Sequence, residues 1–424
     1  MSAGTAVMAA RRRLVIERRF VIGGLLVAIG LIELLVFGRV AVKGDAVFTF
    51  TLTGAKVNIP NLTLPAGPTS TIIGAVTTAL GLLYVAVDLP KVPRRLIAGV
   101  SLVGLVAAVL CWADASRIPF PFVALLASTV ASSIPLMLGA LSGALCERSG
   151  VINVAIEGQL LLGAFGAAVI ASAFGNLWLG LAAGALSGGL IALLLGLFAI
   201  RYRVDQIILG VVLNVFASGI TGYLFDSLLV PYANRLNSPA TFNPIKIPLL
   251  GDIPILGPVL FDSTVFLYIT YVVIALVQIG LFSTRWGLRV RAVGEHPEAA
   301  DTVGINVLLT RWRNVLLGGV VAGIGGAYLT IGSVGSFAKD MSSGEGFIAL
   351  AAMIFGRWTP LGGVAAALMF GFATALANVL GTVGSPIPSD FLLMLPYIAT
   401  IVAVAGLVGR GRPPKADGQP YVKA

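Results

Sequence analysis

Glu157 is chemically conspicuous because of where it stands. It follows Glu147-Arg148-Ser149-Gly150-Val151-Ile152-Asn153-Val154-Ala155 and enters a long apolar run as Ile156-Glu157-Gly158-Gln159. An ionised carboxylate in hydrocarbon costs on the order of 2–3 kcal/mol or more, so Glu157 must face a cavity or a partner inside a bundle. Two uses are open. Asn153, Glu157 and Gln159 line a solute path or its inner gate, or Glu157 caps free backbone amides at a broken helix start while Asn153 ends a turn. Asn214, Ser218 and Thr221 share one helical face and serve either a wet path or interhelical hydrogen bonds. Glu345 and Phe347 open a short apolar segment at its outer end, where an entering solute would meet them.

A second signal lies between Arg285 and Arg313, in Gly294-Glu295-His296-Pro297-Glu298-Ala299-Ala300-Asp301-Thr302-Val303-Gly304-Ile305-Asn306. Pro297 suits a first helical turn, Glu298 and Asp301 its positive end, and Gly304 its exit. The spacing therefore predicts a short helix over about 297–303. Ala299 and Ala300 are small enough for a partner to approach closely. The residues alone leave two readings: a helix offered to the groove of a soluble motor, or an amphipathic connector on lipid headgroups.

Other chemistries find no support. His296 is the single histidine, Cys111 and Cys146 are the two cysteines, and no cluster of metal-ligand spacing exists. There is no GxxxxGK[ST] phosphate loop and no nucleophile motif or spaced carboxylate pair at a membrane boundary. The expectation is a non-enzyme that holds no metal and no cofactor. The formal charge of +10 does not point to nucleic acid, because the basic residues lie between apolar segments rather than on one soluble face.

The elements that must position these residues follow from composition. Of 424 residues, 58% are hydrophobic and 11% charged, and the mean hydropathy is +0.99; soluble domains carry about a quarter charged residues. The fold class is an all-α polytopic membrane protein, because apolar runs near the length of a bilayer-crossing helix recur throughout. About twelve segments are expected, near 20–38, 70–88, 96–114, 119–141, 154–173, 177–200, 206–229, 263–283, 313–333, 346–357, 361–381 and 391–409. The tenth is too short to cross alone and reads as a half-helix enclosed by protein or a watery cavity. With the N-terminus inside, cytoplasmic segments hold 21 of the 28 Lys and Arg residues, as the positive-inside rule asks. Both termini are then cytoplasmic, as tails 1–19 and 410–424, and the tail after 410 is expected to be disordered.

Residues 20–95 form two additional spans with an extracytoplasmic loop at 39–69, whose alternating run from Val47 to Gly54 fits a short hairpin. Glu33, in the first of them, either snorkels or meets a neighbouring subunit. The core is 96–409. Within it, Glu157-Gly158 and Glu345-Gly346 each open an apolar segment, five spans apart and with opposite direction, which suggests an inverted repeat of five plus five spans. The proline-rich loop 230–262 reads as an ordered outer cap.

Three motifs carry a resemblance, and a further region looks similar. Glu298-Ala299-Ala300 with Gly304 is similar to the EAA-x3-G loop of ABC importer permeases. Arg148 to Asn153 with Glu157-Gly158-Gln159, then Gly287-Leu288-Arg289-Val290-Arg291-Ala292-Val293-Gly294-Glu295, resembles permeases of the branched-chain amino acid, ribose and nucleoside superfamily. The region from Ile331 to Gly363 looks similar too, and the likeness covers roughly 119–409. Asn153 followed by Glu-Gly-Gln is more like the nucleoside branch, which takes its solute from a basic membrane lipoprotein.

The resemblance implies a multi-pass subunit of the bacterial inner membrane that forms the solute path for nucleosides. Its implied partners are a cytoplasmic ABC ATPase that uses the ATP, a second permease subunit and an extracytoplasmic solute-binding lipoprotein. It also implies that Pro297, Glu298, Ala299, Ala300 and Gly304 form the ATPase-coupling helix. Competing readings are an ABC permease for simple sugars or branched-chain amino acids, and an ion-coupled secondary carrier that works alone.

Overall fold

The structure is a computed structural model and describes residues 18–38, 44–51, 58–88, 90–114, 118–385, 387–402 and 412–422. The helices are α1 (Arg18–Ile32), α2 (Ala66–Ala86), α3 (Lys91–Asp114), α4 (Phe122–Glu147), α5 (Ile156–Phe174), α6 (Leu177–Gly196), α7 (Gln206–Leu224) and α8 (Ala233–Leu236). They continue with α9 (Val265–Ser283), α10 (Arg285–Glu295), α11 (Pro297–Thr302), α12 (Val307–Ala327), α13 (Glu345–Phe355), α14 (Pro360–Thr382), α15 (Ser389–Leu393) and α16 (Leu395–Val402). Among the described residues, ten helices are long and apolar enough to cross a membrane. α13, with 11 residues, is apolar but too short to cross alone, as the sequence indicated. The last expected segment is described as far as Val402, and its remainder lies outside the described residues.

The chain divides into two compact units. The first comprises 1–50, 59–121 and 382–387, the second 51–58, 122–381 and 388–424. In the first unit α3 packs with α1 and α2: Ser70 donates to Ala108 O, and Phe37 stacks on Trp112. Small residues bring α1 and α2 close. A Cβ on Gly81 would lie 2.7 Å from Val27 N, and one on Gly74 would lie 2.6 Å from Leu34 N. This closeness buries Glu33 completely, so it does not snorkel.

β1 (Asp45–Thr49) runs antiparallel to β2 (Leu62–Pro65), with Phe48 opposite Leu62, and parallel to β3 (Phe120–Pro121). β1 and β2 thus pair as a hairpin, while its expected turn at Gly54 lies outside the described residues.

In the second unit, α12 is the most buried of the long helices and packs against α4, α5 and α6. Glycines set those distances. A Cβ on Gly188 of α6 would come within 2.5 Å of Gly319 O and Gly323 Cα, both on α12. Capping fixes the register of the helix starts: Asn176 accepts from Trp178 and Leu179, Asp205 from Ile207 and Ile208, and Asn306 from Leu309. The 230–262 loop is ordered by α8, by β4 (Ile245–Lys246) paired with β5 (Asp262–Ser263), and by a 2.7 Å Lys246–Asp252 ion pair.

Gly188→Val should cost about 1–3 kcal/mol through overpacking and lower the thermal unfolding temperature in detergent. Gly219→Val, where an added Cβ meets nothing within 4 Å, should leave it unchanged; equal behaviour of the two would refute the close-packing account.

Candidate functional site

The first turn of α13 has no preceding turn to accept its free N–H groups; within it Gly346 is buried, Glu345 half-buried and Phe347 exposed. Glu157, in the first turn of α5, supplies the acceptors. Its Oε1 accepts from the Ser342 hydroxyl at 2.7 Å and from Gly344 N–H at 2.9 Å, and Oε2 accepts from Gly346 N–H at 2.6 Å. Gly344 enters the helix at φ +85°, and a Cβ on Gly346 would strike the Glu157 backbone. Glu157 therefore caps a broken helix start, but that of α13 rather than its own.

The start of α5 is in turn held by α7. Asn214 Oδ1 accepts from Gly158 N–H at 2.8 Å, while its Nδ2 donates to Val154 O at 2.9 Å. One turn further, Ser218 donates to Asp340 Oδ1 at 2.6 Å, and Lys339 pairs with Asp226 at 2.6 Å. Thr221 bonds back to Ala217 O within its own helix. The segment leading into α13 is thus fastened to both α5 and α7. Glu345 is half-buried next to Glu157, and Phe347 stands exposed beyond it. Asn153 and Gln159 are fully buried and bonded to each other and to Ser142, with Asn153 Nδ2 at 3.1 Å from Gln159 Oε1. They tie α4 to α5 and present no open surface.

α13 is also held at its far end. Trp358 Nε1 donates to Glu147 Oε2 at 2.5 Å, and Arg148 Nε donates to Trp358 O at 2.7 Å. Arg357 and Trp358 both sit at φ +56°, a costly conformation for non-glycine residues that these contacts hold in place. Burial lowers the pKa of Arg148, and the nearby Glu295 carboxylate opposes that. Its guanidinium and that of Arg291 both lie against the Phe282 ring, 5.6 and 5.1 Å from its centre.

α11 occupies the predicted place. Pro297 is its first residue, and Gly304 follows at φ +85° with open space around it. Glu298, Ala299 and Val303 are exposed, but Pro297 and Ala300 are buried. Ala300 packs on Val293, Val307 and Tyr421, so of the two alanines only Ala299 is open to a partner. The C-terminal segment expected to be disordered instead has described structure over Arg412–Val422. Pro414, Ala416 and Tyr421 are buried, and Ala416 N–H donates to Gly294 O at 2.9 Å.

Sequence reasoning passed over Asp340, Ser342, Trp358 and Asp417. Ser342-Ser343-Gly344 immediately before Glu345-Gly346 was a readable sign of an elaborate helix start. Nothing local marked Trp358 or Asp417, whose partners lie far away in the chain.

A family model described as branched-chain amino acid transport system / permease component matches residues 125–404. The guanosine ABC transporter permease protein NupQ of Bacillus subtilis is 41% identical over 306 residues, covering 70% of this chain and 95% of that protein. The nucleoside ABC transporter permease protein NupC of Lactococcus lactis subsp. cremoris is 40% identical over 309 residues, covering 71% and 97%. The putative glucose ABC transporter permease protein TsgC13 of Haloferax volcanii is 34% identical over 252 residues, covering 59% and 76%. No solved structure matches.

Glu157→Gln leaves one carbonyl oxygen where three donors converge and turns an amide N–H toward them. A hydrogen bond to a charged group is worth about 1.5–3 kcal/mol, so the purified variant should unfold at a clearly lower temperature in detergent. An unchanged unfolding temperature would show that the cap contributes nothing.

Proposed function

Because the chain belongs to the branched-chain amino acid transport system permease family, we propose that it forms the solute path of a nucleoside importer driven by a separate ATPase. The relatives that support a nucleoside are the guanosine and nucleoside permeases, each matched over nearly its whole length. The structural observation that carries a path is the capped half-helix: α13 starts inside the bundle, at a junction of α5 and α7 where Glu157, Ser218, Asp340 and Glu345 converge. Broken helices of this kind expose backbone and carboxylate groups to a solute at mid-membrane depth.

Nucleosides carry ribose hydroxyls that donate to carboxylates and a flat base that stacks on aromatic rings. Glu345 and the exposed Phe347 answer those two demands. Asn153, Gln159 and Asn214 act behind this surface by holding α4, α5 and α7 in register. The resemblance to a putative glucose permease favours a simple sugar as a second reading.

α11 is the helix that the motor grips. Glu298, Ala299 and Val303 form its outward face, and the arginines of α10 and α12 set it on the cytoplasmic side with both termini. ABC importer permeases work with an ATPase and a binding protein; here a second permease and an extracytoplasmic lipoprotein complete the assembly, and the loop 230–262 receives the lipoprotein. The core is an inverted repeat of five plus five among about twelve segments, in which the Glu157-Gly158 and Glu345-Gly346 starts meet.

Purification of the complex from its own membranes, followed by ATPase assays with guanosine, cytidine and glucose, tests the assembly and the solute together. Stimulation by nucleosides that depends on the binding protein is expected; stimulation by glucose alone would assign a sugar instead. A chain that transports alone under an ion gradient would replace the importer with a carrier. Glu298→Arg and Gly304→Arg should each abolish solute-stimulated ATP hydrolysis while the chain still inserts, and retained stimulation would remove α11 from the coupling.

A further inference from the structure

The segment Pro414–Tyr421 is a strap laid across the end of the bundle that carries α11, beyond residue 404 where the family match stops. Its first contact is with α10: Ala416 N–H donates to Gly294 O at 2.9 Å. Gly294 in turn presses on the α4–α5 turn, where a Cβ would strike Arg148 O. Gly418 lies over Ile152 of the same turn, and Gln419 O accepts from Arg311 Nη1 of α12 at 2.8 Å. The strap reaches Tyr421, which packs on Val293, Ala300 and Val307 and lies beside Asp301 of α11. Between these anchors, the carboxyl group of Asp417 lies close enough to that of Glu147 for the two to perturb each other.

Burial first, then the Glu147 charge, push Asp417 up to about 9. Oε2 of Glu147 accepts from Trp358, just past the C-terminus of α13. One continuous series of contacts therefore leads from α11 through Tyr421 and Asp417 to Glu147, and from there to α13. The far end of that half-helix is the turn capped by Glu157.

We infer that the C-terminal strap is a positioning element of the transport cycle, which carries the displacement of α11 to the half-helix α13 through the Asp417–Glu147 contact. Coupling of this kind requires an element that both sites bias, and α13, gripped at both ends by the α4–α5 hairpin, is that element. The inference rests on α11 being the motor contact, and the experiment separates the two.

The test uses the whole transporter, with its ATPase and binding protein, in lipid nanodiscs and with guanosine as the probe solute. Asp417→Ala removes the carboxyl contact. Asp417→Asn keeps a donor facing Glu147. Truncation after Gly411 removes the strap. Asp417→Ala and the truncation should retain the ATPase and its basal rate but lose about tenfold in solute-stimulated hydrolysis, within the usual range of coupling between sites; Asp417→Asn should restore it.

Full stimulation in both Asp417→Ala and the truncated chain, with Glu298→Arg inactive, would overturn the relay alone. Full stimulation in Glu298→Arg would overturn the reading of α11 and the relay with it. Loss of the ATPase from the Asp417→Ala complex would reduce the strap to a structural clasp and overturn the relay as well.

Discussion

A helix that begins without a preceding turn has backbone N–H groups with no intrahelical acceptor, and the contacts around the start of α13 answer that constraint. Each such group left unsatisfied in apolar surroundings costs several kcal/mol. One carboxylate, Glu157, accepts from two backbone amides and the Ser342 hydroxyl. Because that carboxylate belongs to the first turn of α5, the two Glu-Gly helix starts are locked together. Asn214 then stabilises the start of α5 in the same currency, by one amide accepting from Gly158 and donating to Val154. Glycine is required at the contact because only a hydrogen lets the two chains come this close.

This arrangement makes a polar residue in an apolar helix a structural necessity before it is anything else. The charge on Glu157 is spread over three donors, which offsets the cost of keeping it away from water. Asn153 and Gln159 follow the same logic in a neutral form, by bonding each other and Ser142. Beyond these ties stand Glu345, half-buried, and Phe347, exposed.

Much of this was legible in the sequence because membrane helices obey two strong rules, apolar length and interior placement of charge. The shortness of α13, the place of α11 and the inward orientation of Glu157 followed directly. The partner of Glu157 did not follow, because it lies 185 residues or more away in the chain and a carboxylate caps any nearby helix start equally well. Ala300 misled for a related reason: a small residue on a surface helix permits close approach from either side, and here its own chain takes the place. The strap misled because Pro413-Pro414 and a polar composition signal an unfolded tail. Its order comes from a few buried contacts, Ala416 and Tyr421 above all, which composition does not record.

The small sheet of the first unit bears on how the protein is made. Its strand order is β2-β1-β3, and its last strand, Phe120–Pro121, directly precedes α4. Chains fold from the N-terminus as they are synthesised, so all three strands and the three helices around them have left the ribosome before the first residue of α4 follows. Translation order and assembly order coincide there. The first unit can complete its sheet and its glycine-lined helix contact while the remaining helices are still being translated, without waiting for a partner strand from downstream.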